Sequence, residues 1–264
     1  MDAEKPSRPG SKPKVRVFLE GRYRKLVRDL PQTVFFCPEC KGRGRRKGVD
    51  CARCSGHGKL TKDSVQELIE RVALPRLRSW KSKFHGAGRE DIDVRMLGTG
   101  RPFILEVLNP KHPMADLREI EDAIGRACAG RIEVTGLRLV PKARVAELKE
   151  TKHPKEYVVV VKPAAPLSTE QLARVSGRKI FVKQRTPERV AHRRADLDRQ
   201  RWVEVTQAEP LDGGNVRFTL RCEHGTYVKE AVSGEGGRTE PSLSALLGTP
   251  CECVELDVTA ILEP

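Results

Sequence analysis

The sequence predicts an α+β protein: one large mixed or antiparallel sheet flanked by helices, with a small four-cysteine module ahead of it. Three observations carry this. Beyond residue 63, strand-length apolar segments outnumber helical ones. Two of them, 201–210 and 215–223, are joined by Leu-Asp-Gly-Gly, a hairpin signal. Two CxxC pairs fall within one short, glycine-punctuated stretch.

The elements follow in chain order. Residues 1–14 are rich in Pro, Lys and Ser without periodicity and predict a disordered basic tail. Residues 15–20 (VRVFLE) alternate like a short strand, and 21–33 (GRYRKLVRDLPQT) form a basic stretch. The cysteine segment, 35–58, reads as a loop-built module. In 64–80, Ser64 is placed to cap a helix, Glu67 completes a capping box, and Val65, Leu68, Ile69 and Val72 give one apolar face, broken near Pro75. Helices are expected at 115–129 and, capped by Ser168, at 168–175. Strands are expected at 103–108, 131–140 (with a turn or bulge at its glycine), 157–163, 178–184, 201–210, 215–223 and 254–262. The expected division is a tail over 1–14, an N-terminal segment with the cysteine module over 15–62, and the main domain over 63–264.

The chain has 264 residues, 38% of them hydrophobic, enough for one large core or two ordinary ones. No apolar run approaches the roughly 20 residues that cross a bilayer, and the first residues lack the apolar stretch of a secretory signal. Membrane-spanning and exported classes are therefore excluded, and a cytoplasmic protein is expected. Charge is more informative. Lys+Arg 50 against Asp+Glu 36 leaves +14, and the excess is clustered at 43–47, 76–83, 183–189 and 193–201, several of these holding an aromatic residue or a histidine. Clustered basic charge points to a polyanion, and nucleic acid is the commonest one.

Of eight cysteines, four form CPEC (Cys37, Cys40) and CARC (Cys51, Cys54), each continuing as CxxCxGxG. Two thiolate pairs in tight turns make a four-sulfur cage suited to a structural zinc ion. Cys128, Cys251 and Cys253 read as core residues.

The segment 84–103 (FHGAGREDIDVRMLGTGRPF) mixes Asp91 and Asp93 with Arg89, Arg95 and Arg101 among glycines. Guanidinium groups around a carboxylate keep it ionised and ready as nucleophile or base. Spacing alone leaves a charged surface turn as the more frequent explanation. The resemblance adds what spacing does not. GREDIDVRMLGTGRPF (88–103) is similar to the catalytic motif of the archaeal and eukaryotic tRNA pseudouridine synthase family called Pus-ten. GRYRKLVRDLPQT (21–33), RTPERVAHRRADL (185–197) and GTYVKEAVSGEGGRTEPSLSALLG (225–248) resemble further family segments, in the same order.

The resemblance implies a pseudouridine synthase fold over 63–264 and isomerisation of uridine 54 and/or 55 in the TΨC arm of tRNA, with no organic cofactor and no obligate protein partner. It implies Asp91 as the catalytic aspartate, with Asp93 in a structural or RNA-orienting role. Tyr157 would stack on the target uracil, and Lys229 would stand where relatives pair a cation with the aspartate. Tyr227 would contact substrate, and Leu246 would pack under the base. Arg89, Arg185, Arg189, His192, Arg193 and Arg194 are read as RNA-binding. His85 and His224 either line the pocket or are hydrogen-bonded core histidines. The family carries a long N-terminal RNA-binding region, whereas here only 1–62 precede the catalytic domain. The competing reading is a non-catalytic zinc-containing RNA-binding protein that retains the synthase fold.

Overall fold

The computed structural model describes residues 15–191 and 194–263; the expected tail over 1–14 lies outside them. In chain order come β1 (Arg16–Lys25), β2 (Arg45–Arg46) and β3 (Val49–Asp50) of the cysteine module, α1 (Val65–Arg76), β4 (Lys81–Gly86), β5 (Arg95–Leu108), α2 (Leu117–Ala127) and β6 (Ile132–Val140). They are followed by α3 (Arg144–Glu150), β7 (Lys155–Pro163), α4 (Thr169–Val175), β8 (Arg178–Arg185), α5 (Glu188–Ala191), β9 (Asp198–Pro210) and β10 (Val216–Cys222). The last elements are α6 (Val228–Ser233), β11 (Thr239–Glu240), α7 (Leu243–Leu247) and β12 (Cys251–Ile261).

Ten strands form one sheet in the order β11-β8-β9-β10-β7-β12-β5-β1-β6, with β4 attached to β5 off this path. All its pairings are antiparallel except β12 with β5, where Asp257 lies opposite Arg95 and Val258 opposite Met96. The sheet is therefore mixed, as expected. Strand β1 lies between β5 and β6, so a boundary at residue 62 cuts through the sheet. The first strand belongs with the main body, because its Leu19 and Tyr23 are fully buried in the common core.

Helices α1 and α2 cover one half of the sheet through Leu68, Ile69, Ile120 and Ile124, packed on Phe103, Leu105 and Ile132. Helices α4, α6 and α7 cover the other half through Leu172, Val232, Leu243 and Leu247, over Val203, Val205, Phe218 and Leu220. Each fully buried aliphatic or aromatic side chain contributes about 1.5–3 kcal/mol. Helix caps match the expected sites. Ser64 accepts from the Glu67 N–H at 3.2 Å, but the Glu67 carboxylate takes the Ser64 hydroxyl and Lys59 rather than a backbone N–H, so that box is half formed. The box at Ser168 and Gln171 is complete. Pro75 sits in the last turn of α1, which ends one residue later.

One feature of the sheet positions the site. Strands β4 and β12 occupy opposite ends of the same edge of β5, β4 along Phe103–Leu108 and β12 at Arg95 and Met96. The connection 87–94 fills the opening between them. Gly98 makes the crowding possible: at φ +56°, a Cβ there would lie 1.7 Å from the Thr259 carbonyl oxygen of β12.

Candidate active site

The loop 87–94 is pinned from beneath by buried polar groups. Glu90 points inward and pairs with Arg101 at 2.8 Å, both side chains essentially inaccessible. The Tyr23 hydroxyl lies 2.8 and 2.9 Å from the two Glu90 oxygens and accepts from Gln32 Nε2 at 2.8 Å. Gln32 also donates to the Gly88 carbonyl at 3.0 Å, and Arg101 Nη1 to that of Ala87 at 2.8 Å. Lys25, on β1, donates its ammonium to the carbonyls of Leu30 (2.7 Å), Asp91 (3.1 Å) and Ile92 (3.1 Å). Arg101 and Gln32 thus hold the backbone before Asp91, and Lys25 holds it at Asp91 and Ile92.

Alternation between Glu90 and Asp91 turns the second carboxylate outward. Arg189 Nη1 donates to Asp91 Oδ2 at 2.6 Å, while Arg189 Nε and Nη2 donate to Glu230 Oε1 and Oε2 at 2.6 and 3.3 Å. Glu230 is buried on α6, so the planar guanidinium is held bidentately from behind as it holds Asp91 in front. The Asp91 partner that the resemblance implied differs here: Lys229 donates to Asp93 Oδ2 at 2.6 Å. Burial pushes the Asp93 carboxyl up, but the hydrogen bond and charge of Lys229 outweigh it and hold the group below its usual range.

Glu90, Asp91, Arg101, Arg189 and Lys229 line a cleft of about 610 Å³ together with Lys155 and Tyr157 of β7, Leu256 and Val258 of β12, Val94, and Arg199 and Arg201 of β9. Tyr157 and Lys155 share a face of β7 because strand side chains alternate. Burial raises the Tyr157 hydroxyl well above its ordinary value, keeping it protonated. Burial, reinforced by the nearby Arg101 charge, draws the Lys155 ammonium down to about 8. His224, also on the wall, is held neutral to lower pH by burial and by Lys155. The cleft thus offers a fixed carboxylate, an aromatic hydroxyl, an apolar patch and a cationic rim.

Asp91, Tyr157, Lys229, Tyr227, Arg89, Arg189 and Arg194 all line this cleft. Arg185 is instead exposed at the end of β8, paired with Asp196 at 2.6 Å. Leu246 is not under the base position either. It sits on α7, where the five-residue helix turns it into a separate depression with Phe181 and Pro241. Leu256 and Val258 are among the apolar residues in the cleft, and the alternation of 254–260 could have indicated them. His192 and Arg193 lie outside the described residues. His85 is off the cleft, 3.0 Å from Glu106, and Cys128 and Cys251 are buried. Glu230, Lys155 and the pairing of Arg189 with Asp91 were missed; only Lys155, two residues before Tyr157, had a local signal.

Away from the cleft, the sulfurs of Cys37, Cys40, Cys51 and Cys54 lie within 4.8 Å of one another, all four residues buried. The Gly58 N–H donates to Cys54 Sγ at 3.2 Å. Four soft donors so placed can hold one metal ion. Among the described residues no helix is long and apolar enough to cross a membrane.

Comparison with known proteins adds to this geometry. The family model described as "Pus10, C-terminal" matches residues 18–262. A protein of Methanothermobacter marburgensis named tRNA pseudouridine synthase Pus10 is 46% identical over 250 residues, covering 94% of this chain and 60% of its own length. Its namesake in Methanothrix thermoacetophila is 44% identical over 243 residues, covering 92% and 52%. The chain thus spans about half to three-fifths of the length of these relatives. Among solved structures, a Cbf5-Nop10-Gar1 complex matches 75% of this chain and 45% of its own at 18% identity and TM-score 0.43. The family-model match runs through β1, the pinned loop, the arginine-bearing segment and β12 alike, and by it and these relatives the chain belongs to the Pus10 family.

Proposed function

We propose that this chain isomerises uridine to pseudouridine in tRNA, at position 54 and/or 55 of the TΨC arm, with Asp91 as the catalytic carboxylate. The observation that carries the reading is an aspartate on a rigidly bonded loop, oriented by Arg189, facing Tyr157 across a cleft with an apolar wall and a cationic rim. The name borne by the relatives, tRNA pseudouridine synthase, supports the reaction class. The reaction breaks the N1–C1′ bond of the nucleoside, turns the uracil and joins C5 to C1′. The C5 proton leaves and N1 gains one, so no co-substrate is consumed. Asp91 supplies the negative charge that attacks or assists at the sugar or base. A nucleotide turned out of its stack would place its base on Tyr157, with Leu256 and Val258 packed against it while the glycosidic bond is open. Arg89, Arg194, Arg199 and Arg201 would meet the flanking phosphates.

The metal of the cysteine module is read as zinc. Four thiolates at about 2.3 Å from one Zn²⁺ set neighbouring sulfurs roughly 3.8 Å apart, and the Cys37–Cys51 and Cys40–Cys54 separations are 3.9 and 3.7 Å. With every ligand a protein sulfur, such a site cross-links the module and takes no part in the chemistry. A cytoplasmic setting goes with this reading, since free thiols persist there.

The test uses purified protein and an unmodified tRNA transcript, followed by carbodiimide treatment and mapping of reverse-transcription stops. Stops are expected in the TΨC arm, absent with Asp91→Asn while tRNA affinity is kept. Activity retained by Asp91→Asn, or tight binding with no stop by the native chain, would overturn the catalytic reading.

A further inference from the structure

The basic segment 76–83 takes no part in the cleft. At its centre Trp80 is 89% exposed, the largest exposure of any large apolar side chain among the described residues. The chain around it is firmly held. The Ser79 N–H donates to the Leu74 carbonyl at 2.9 Å, and its buried hydroxyl to that of Leu108 at 2.7 Å. The N–H groups of Lys111 and His112 reach the carbonyls of Arg78 and Leu77 at 3.3 and 3.1 Å, bringing a second loop alongside. Arg78, Lys81 and Lys111 are exposed and, among the described residues, none has an acidic partner. Met114, 77% exposed, follows on the same loop.

A tryptophan ring kept in water by a fixed backbone, with exposed cations without acidic partners close along the chain and on the adjoining loop, has the two parts of a single-strand binding surface. The ring stacks on a base of any sequence, and the cations meet its phosphates. We propose that Trp80, with Arg78, Lys81 and Lys111, is a stacking platform for unpaired nucleotides of the RNA substrate outside the target site; the choice of RNA as occupant rests on the function proposed above. Charge complementarity favours RNA over a second copy of the chain, since a two-fold contact through this patch would bring like charges together. From Trp80 to Gly86 at the catalytic loop, β4 spans about 20 Å at ~3.3 Å per residue. The platform therefore contacts a different part of the RNA from the nucleotide in the cleft.

The chain has two tryptophans, and the other, Trp202, is half-buried with the Lys179 ammonium 4.2 Å from its ring. In a Trp202→Phe background the emission therefore reports Trp80 alone. Titration with a single-stranded oligouridylate should quench it in a saturable way, and a blunt duplex should not. Trp80→Ala should weaken tRNA affinity about tenfold or more and raise KM with kcat unchanged, while Trp80→Phe keeps most of both. If Trp202→Phe does not fold, the difference in quenching between the native chain and Trp80→Ala gives the same readout. Absence of quenching, unaltered tRNA affinity in Trp80→Ala, or concentration-dependent self-association that moves the emission without RNA would each overturn the platform. Quenching without pseudouridine would leave it standing and remove the catalytic reading; pseudouridine without quenching would do the reverse.

Discussion

Arg189 is the residue on which the cleft turns. Its guanidinium satisfies the buried Glu230 with two donors and presents a third to Asp91 at 2.6 Å. A lysine has a point charge and no fork, so it cannot hold both carboxylates in this geometry. Arg189→Lys should lower kcat by at least tenfold with KM for tRNA within a few-fold, measured by steady-state pseudouridine formation. Arg189→Met should in addition lower the melting temperature, because Glu230 then remains buried without its cation. A lysine variant with native kcat would show that Asp91 does not depend on this partner. Sequence reading placed Arg189 among residues that contact RNA phosphates. Its partners lie 98 and 41 positions away along the chain, and no local pattern reports such a distance.

At the scale of elements, strands and capped helices of ordinary length were legible, because alternation and caps are local. The strand β7 and the helices capped by Ser64 and Ser168 stand close to their expected limits. The misses have two causes. Helices α3, α6 and α7 have seven, six and five residues, too few turns to show a 3.6-residue period. The end of β4 and the first half of β5 fall in 84–103, where glycines suggested a loop. Gly98 and Gly100 sit inside β5 with positive φ, however, because neighbouring backbone approaches too closely for a Cβ. The clustering of the four cysteines was legible, since ligand spacing is itself a local property, whereas the short β2–β3 hairpin inside the module was not. Here the expected result is that chelation or Cys51→Ser exposes the hairpin of β2 and β3 to trypsin at its arginines and lysine, while the large sheet keeps its hydrogen-exchange protection. Equal cleavage with and without metal would show that the module folds on its own.

On the scale of the whole molecule, the cleft draws on the 87–94 loop, β7, the 189–201 segment, α6 and β12, brought together by a sheet that splits along one edge of β5. Its rim is cationic, so tRNA affinity should fall steeply with salt, with each neutralised phosphate contributing roughly 0.7–0.9 to the log–log slope. Arg194→Glu combined with Arg199→Glu, which removes two such contacts, should make that slope shallower by about 1.4 to 1.8. An unchanged slope would place the phosphate track elsewhere on the protein. The net charge of +14 predicts a polyanion but not where it lies. Arg185, in the same basic run, is neutralised by Asp196, whereas Arg194 and Arg199 border the cleft.

By itself the sequence determined the α+β class, the four-cysteine cluster, the position of the catalytic-loop candidate and the clustering of basic charge. Each rests on composition, on period or on residues a few positions apart. Only the tertiary structure decided that Glu90 turns inward to Arg101 while Asp91 turns out to Arg189, and that Lys229 goes to Asp93. It also decided that Leu256 rather than Leu246 faces the cleft. Those outcomes depend on which strands become neighbours, and strand order is set by burial of the whole core rather than by any segment of the chain.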